Sequence, residues 1–119
     1  MKLLFVYGTL KRGASNHEWL SGQAFIAEAR TTPGFRLFDV GGYPGLVRWT
    51  RDQDGVAGEI WSVDDECLKR LDEFEGLAEG LYRREPVPLL PPFAAQPIDA
   101  YFYPHSVLGR PEVGSVWRG

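Results

Sequence analysis

The chain is poor in the residues that announce the commoner special architectures. It has one cysteine in 119 residues, Cys67, which excludes an intramolecular disulfide framework and lends no support to an oxidising compartment. Of its two histidines, His105 follows Pro104 in a loop and lacks a ligand-spaced partner, so metal binding is not expected. No apolar run approaches the ~18 residues that a membrane-crossing helix needs. The apolar start, Met1 to Val6, meets Tyr7-Gly8-Thr9-Leu10-Lys11-Arg12 too early to form the core of a signal peptide. There is no basic stripe: the net charge is -3 with both signs interleaved, which argues against a nucleic-acid partner. Neither the phosphate-loop signature nor the GxGxxG dinucleotide fingerprint occurs. Repeats, low-complexity segments and linkers are absent too. With 44% hydrophobic and 24% charged residues, the expectation is a reduced, soluble, cytoplasmic protein folded as one domain over residues 1–119.

The stretch that organises the remainder is Leu68-Lys69-Arg70-Leu71-Asp72-Glu73-Phe74-Glu75-Gly76. It reads as the last two turns of a helix begun at Asp64 or Asp65 and stopped at Gly76. At 100° per residue, Cys67, Leu68, Leu71 and Phe74 form one stripe, which is expected to face the core. Glu75 lies about 50° from the centre of that stripe, whereas Asp72 and Glu73 point away. An inward carboxylate at a helix C-terminus is desolvated and sits at the negative end of the macrodipole, and both effects raise its pKa. That is the profile of a general acid/base. Taken alone, Glu75 fits a solvated or ion-paired helix end as well.

Most of the other segments read as strands. Leu3 to Tyr7 is a short apolar run that ends at Gly8-Thr9-Leu10-Lys11-Arg12-Gly13, where two glycines permit a tight loop with inward N–H groups. Ser15 or Asn16 then caps a short helix carrying Trp19 and Leu20 and ending near Gly22. A strand, a glycine loop and a helix start together make a cradle for an anion or oxyanion. Ala24–Arg30, Phe35–Val40, the turn and strand from Tyr43 to Val47, Val56–Val63 and Ile98–Tyr103 follow as strands, with a hairpin tip at Asp52-Gln53-Asp54-Gly55. Leu81 to Leu90 holds Pro86 and Pro88 on one side, which confines it to an edge or a bulge. Arg110 to Gly119 reads as an irregular tail anchored by Trp117. The fold class is α+β: a small mixed, mostly antiparallel, barrel-like sheet with two short helices.

The blocks FVYGTLKRGASNHEWL, GGYPGLV, VAGEIW, LDEFEG followed by Tyr82-Arg83-Arg84, IDAYFY and GSVWRG resemble, in the same order, those of the gamma-glutamylcyclotransferase-like proteins, especially the gamma-glutamylamine cyclotransferase branch. Val116 departs from the usual acidic residue of the last block. The resemblance implies a gamma-glutamyl substrate, release of 5-oxoproline and no metal or organic cofactor. It implies Glu75 as the acid/base, the loop Tyr7, Gly8, Thr9 and Leu10 as the glutamyl-binding segment, and Tyr82 and Tyr103 as residues that bind substrate or orient Glu75. The tyrosines fit plain core packing equally well. Arg12, Asn16 and Tyr43 are left between leaving-group or pocket roles and simple capping or turn roles. A Cys67–His17 nucleophile is disfavoured, because a thiol on an apolar helix face is ordinarily inert packing. The expected partner is a small gamma-glutamyl compound, with no nucleic acid and no membrane, and the oligomeric state is left open. The alternative is a non-catalytic small-molecule-binding or interaction domain that retains the fold.

Overall fold

A computed structural model describes residues 1–118; Gly119, the end of the expected tail, lies outside the described residues. The first strand, β1 (Lys2–Val6), alternates its side chains as a pleated strand must. Leu4 and Val6 go to one face with Leu71 and Trp61, whereas Phe5 and the following Tyr7 go to the other with Ile60, Ile98 and Phe102. β1 therefore separates two cores.

Seven further strands complete one sheet: β2 (Ala24–Arg30), β3 (Phe35–Asp39), β4 (Pro44–Arg48), β5 (Ala57–Val63), β6 (Arg83–Pro86), β7 (Ile98–Phe102) and β8 (Glu112–Gly114). The order is β2-β5-β1-β7-β4-β3-β8, with β6 also pairing β7. Most pairings are antiparallel, but β7 runs parallel to both β1 and β4. Beyond β6 the chain crosses back to the end of β2. There Thr31 bridges Leu89, the Leu90 N–H donates to the Arg30 carbonyl at 2.9 Å, and the Thr32 N–H donates to the Pro88 carbonyl at 3.0 Å. The strands β2, β5, β1, β7 and β6 thus curl into the expected barrel. β6 pairs β7 alone, and its Pro86 is tolerated at that edge.

One edge of β7 is shared. Ile98 and Asp99 pair with β1, while Phe102 pairs with Leu46 of β4. The sheet forks between those partners, and the fork is filled by Tyr7. Its hydroxyl donates to the Tyr101 carbonyl at 2.7 Å and accepts the Leu46 N–H at 3.3 Å. Just beyond, Gly8 passes so close to β4 that a Cβ there would stand 2.5 Å from Pro44 Cγ.

The helix α1 (Asp65–Phe74) begins where Asp64 accepts the Cys67 N–H at 2.7 Å. It ends in a Schellman turn: the Leu77 N–H donates to the Asp72 carbonyl and the Gly76 N–H to the Glu73 carbonyl. Gly76 sits at φ 68°, where only glycine is unstrained. The stripe differs from expectation at its end, because Phe74 is 38% exposed and rests on Trp19, ring centroids 4.5 Å apart. The other expected helix is a four-residue 3-10 turn, His17–Leu20. Asn16 does not cap it with its side chain, which is drawn to Thr9 instead. The tail is also more regular than expected, since Glu112–Gly114 joins the edge of β3. Trp117 packs against the barrel core.

The fork makes a direct stability prediction. Tyr7→Phe removes one hydroxyl and leaves a buried carbonyl and a buried N–H unpaired, at a cost of about 1–3 kcal/mol. Urea unfolding should show that loss as a lowered midpoint with an unchanged slope; an unchanged midpoint would mean that the hydroxyl does not hold the fork.

Candidate active site

The fork opens into a cavity of about 300 Å³ between the exit of β1, the start of β4 and the end of α1. Each wall brings a different chemistry. α1 contributes Glu75, which occupies the helix C-cap position and lines the cavity as its single charged residue. Among the described residues no hydrogen bond or ion pair engages its carboxylate; the neighbouring acid Asp72 takes the local donors instead. Desolvation by burial alone raises the Glu75 pKa from 4.5 to about 7. Glu75 turns inward because helical geometry sets it about 50° from the centre of the apolar stripe, and Gly76 ends the helix at the next residue.

The exit of β1 contributes the opposite chemistry. Gly8, Thr9 and Leu10 line the cavity, and among the described residues none of their backbone N–H groups has an acceptor. Their oxygens, in contrast, are committed. The Gly8 carbonyl accepts the Lys11 N–H at 3.2 Å and the Thr9 carbonyl the Asn16 N–H at 2.8 Å. Asn16 Nδ2 donates to the Thr9 hydroxyl at 3.1 Å, and His17 Nδ1 pairs with the Leu10 carbonyl at 2.9 Å. A loop whose acceptors are satisfied and whose donors are not presents positive potential to the cavity. Asn16 is thus a brace of this loop, and it also lines the cavity.

β7 and its neighbour supply the floor. Tyr82 donates its hydroxyl to the Pro44 carbonyl at 2.8 Å and Tyr101 donates to Asp72 at 2.7 Å. Burial raises both hydroxyl pKa values, with the nearby Glu75 charge adding to the effect, so both stay protonated. Arg84 grips Asp72 through Nε and Nη2 at 3.0 and 3.2 Å and reaches Asp99 at 2.8 Å. This ties the last turn of α1 to β6 and β7.

Of the residues singled out in the sequence, Tyr7, Gly8, Thr9, Leu10, Glu75 and Tyr82 meet in this one cavity. Tyr103 is separated from them. It stands edge-on behind Tyr82, ring centroids 5.7 Å apart, and Gly45 lies so close that a Cβ there would meet Tyr103 Cβ at 2.8 Å; a packed second layer is the reason it does not line the cavity. Tyr43 lies at the mouth, 43% exposed. Arg12 is turned to the other side of the loop, over the Phe25 ring and against Glu59. Tyr101 was missed. The alternation of IDAYFY could have found it, because it places Tyr101 and Tyr103 on one face of the strand. Cys67 and His17 do not form a pair: the thiol contacts the Trp19 carbonyl, burial pushes its pKa up, and His17 serves the loop. Among the described residues no group of three His, Cys, Asp or Glu side chains converges as metal ligands do. None of the described helices is long and apolar enough to cross a membrane.

The sequence model of the family described as gamma-glutamyl cyclotransferase, AIG2-like, matches residues 4–118. The chain belongs to that family. The gamma-glutamylaminecyclotransferase of Homo sapiens is 40% identical to it over 91 residues, covering 71% of this chain and 59% of the human protein. The gamma-L-glutamyl-butirosin B gamma-glutamyl cyclotransferase of Niallia circulans is 42% identical over 76 residues, covering 63% of this chain and 46% of that protein. The chain thus spans roughly half to three fifths of the length of these two relatives. The crystal structure of an AIG2-like protein from Mus musculus superposes with a TM-score of 0.78 at 31% identity, over 94% of this chain and 85% of that one.

A carboxyl whose folded pKa is raised from 4.5 to about 7 opposes folding only when it must ionise. Below pH 4.5 both states are protonated and the opposition is absent; it grows as pH rises and is complete above about 7. Glu75→Gln should therefore raise the melting temperature at pH 8, corresponding to at most about 3 kcal/mol, and leave it nearly unchanged at pH 4. Thermal scans at the two values check the sign.

Proposed function

We propose that the protein is a gamma-glutamyl cyclotransferase that releases 5-oxoproline from a gamma-glutamyl amine or gamma-glutamyl amino acid, with Glu75 as general acid/base. The observation that carries this reading is the meeting, in one cavity, of a carboxyl whose pKa burial pushes up to about 7 and three backbone donors that lack acceptors among the described residues. A pKa near the working pH lets one group both take and return a proton. The family membership and the relatives' names support the substrate class.

The reaction follows from the two walls. The ionised Glu75 accepts a proton from the α-ammonium of the bound gamma-glutamyl group. The freed amine attacks the γ-carbonyl of the same molecule and closes a five-membered ring. Folding the bound chain so that amine and carbonyl meet supplies much of the rate, since the attack is intramolecular. The donors of Gly8, Thr9 and Leu10 hold the glutamyl carboxylate and stabilise the oxyanion that forms on the carbonyl oxygen. Collapse breaks the old amide bond as the Glu75 carboxyl gives its proton to the leaving nitrogen, and the carboxylate so restored passes the second proton of the attacking nitrogen to the released amine, which departs as an ammonium. The products are 5-oxoproline and the protonated amine, and Glu75 is ionised again. Tyr82 and Tyr101, whose hydroxyl protons are committed to Pro44 and Asp72, turn acceptor oxygens to their surroundings and suit an ammonium rather than an anion.

The experiment is 5-oxoproline release from gamma-glutamyl-ε-lysine, gamma-glutamyl-alanine and glutathione by the wild type and Glu75→Gln. Turnover of at least one substrate is expected, falling at least ~100-fold on substitution, as removal of a general acid/base does. Turnover that survives Glu75→Gln would remove Glu75 from the mechanism. Binding of gamma-glutamyl compounds without release would favour the non-catalytic binding domain.

A further inference from the structure

One buried carboxylate takes no part in these proton transfers. Glu59 on β5 is 7% exposed and stands across from Val6 at the end of β1. Its Oε1 accepts the Arg12 backbone N–H at 3.0 Å and the Trp61 indole N–H at 3.1 Å, while Oε2 accepts Arg12 Nε at 3.1 Å. The Arg12 guanidinium is sandwiched: the Phe25 ring centroid lies 3.8 Å away, and Glu28 stands 3.7 Å from an outer nitrogen. Burial pushes the Glu59 carboxyl up, but the Arg12 amide, the indole and the guanidinium outweigh it and hold the group below the usual carboxylate range.

The position of this anchor matters more than its strength. The loop that follows β1 is held at one end by the packing of Gly8 against Pro44. Its first turn is closed by the Lys11 N–H on the Gly8 carbonyl. Arg12 is the next residue, and Glu59 grips it by both backbone and side chain. Donors without acceptors are not held in place by their own bonds. Left alone, such a segment rearranges to solvate them, and a ligand must then meet the cost of ordering it. Clamping the chain on both flanks removes that cost beforehand.

We infer that Glu59 is a positioning residue which, by gripping Arg12, holds the Gly8, Thr9 and Leu10 amides in the open arrangement that receives the glutamyl group. This rests on the function proposed above for its effect on kinetics, though not for its effect on the loop. Glu59→Gln keeps an oxygen for the Arg12 amide and the indole but loses the guanidinium bond, whereas Glu59→Met, similar in length, loses all three.

The test compares 5-oxoproline release and backbone ¹⁵N relaxation in the wild type, both Glu59 variants and Glu75→Gln. KM should rise in the order wild type, Gln, Met, reaching about tenfold or more for Met, as the loss of bonds to a charged acceptor implies. kcat should fall as well, because the same amides stabilise the oxyanion, whereas Glu75→Gln should lower kcat and leave KM nearly unchanged. Order parameters of the Gly8, Thr9 and Leu10 amides should fall from about 0.85 towards 0.6 in the Met variant. Unchanged KM with rigid amides, or a loss confined to kcat, would overturn the inference. Should Glu59→Met fail to fold, the KM and amide order of Glu59→Gln decide the matter. Absence of turnover by the wild type would remove the functional reading, while the relaxation data would still decide whether Glu59 fixes the loop.

Discussion

The architecture depends on a fork in its sheet. β7 gives one edge first to β1 and then to β4, and two strands on one edge cannot both remain adjacent to it at the point of change. The ladder groups freed there would be buried without partners, which a folded chain rarely tolerates. A single hydroxyl resolves this. Tyr7 donates to the Tyr101 carbonyl and accepts from the Leu46 amide, standing in for the missing strand-to-strand bonds. Because β1 ends at the same place, the chain must leave the sheet there as a loop, and the gap beside it becomes the cavity. Fold and site share one cause.

The chemistry then divides between two elements stabilised in opposite ways. Among the described residues nothing pairs with Glu75: Asp72, one turn earlier, collects Arg84 and the Tyr101 hydroxyl, and burial is left free to raise the Glu75 pKa. The glycine loop offers donors because its Gly8, Thr9 and Leu10 carbonyls are taken, by Lys11, Asn16 and His17. In each case neighbouring residues absorb the ordinary partners and leave one kind of group uncommitted. Pre-organisation of this sort is where enzymes find much of their electrostatic stabilisation.

Local signals made much of this legible. The helix with its stop at Gly76, the inward turn of Glu75, the strand and glycine loop at the start, and the edge character of the proline-bearing strand all follow from spacing and backbone chemistry within a few residues. The YGTL and LDEFEG blocks then placed Glu75 and the loop in one family pattern. What stayed hidden depends on contacts distant in sequence. Tyr103 stands on the candidate face of its strand, yet the close approach of Gly45 holds it behind Tyr82, and Tyr101 lines the cavity instead. Asn16 has the chemistry of a cap, but Thr9 offered its side chain a better partner seven residues back. Phe74 fell on the apolar stripe and is nonetheless 38% exposed, its ring resting on Trp19 of the 3-10 turn. β8 has no apolar alternation and exists because β3 has a free edge.

The most direct measurement is the titration of the Glu75 side-chain carboxyl by ¹³C NMR in the wild-type protein, assigned by its absence in Glu75→Gln. A carboxyl that burial has moved into the neutral range while the loop donors face it should titrate with a midpoint near 7. A midpoint near 4.5, the ordinary value for this side chain, would mean that Glu75 is solvated or paired in solution, and the proposed acid/base would be contradicted.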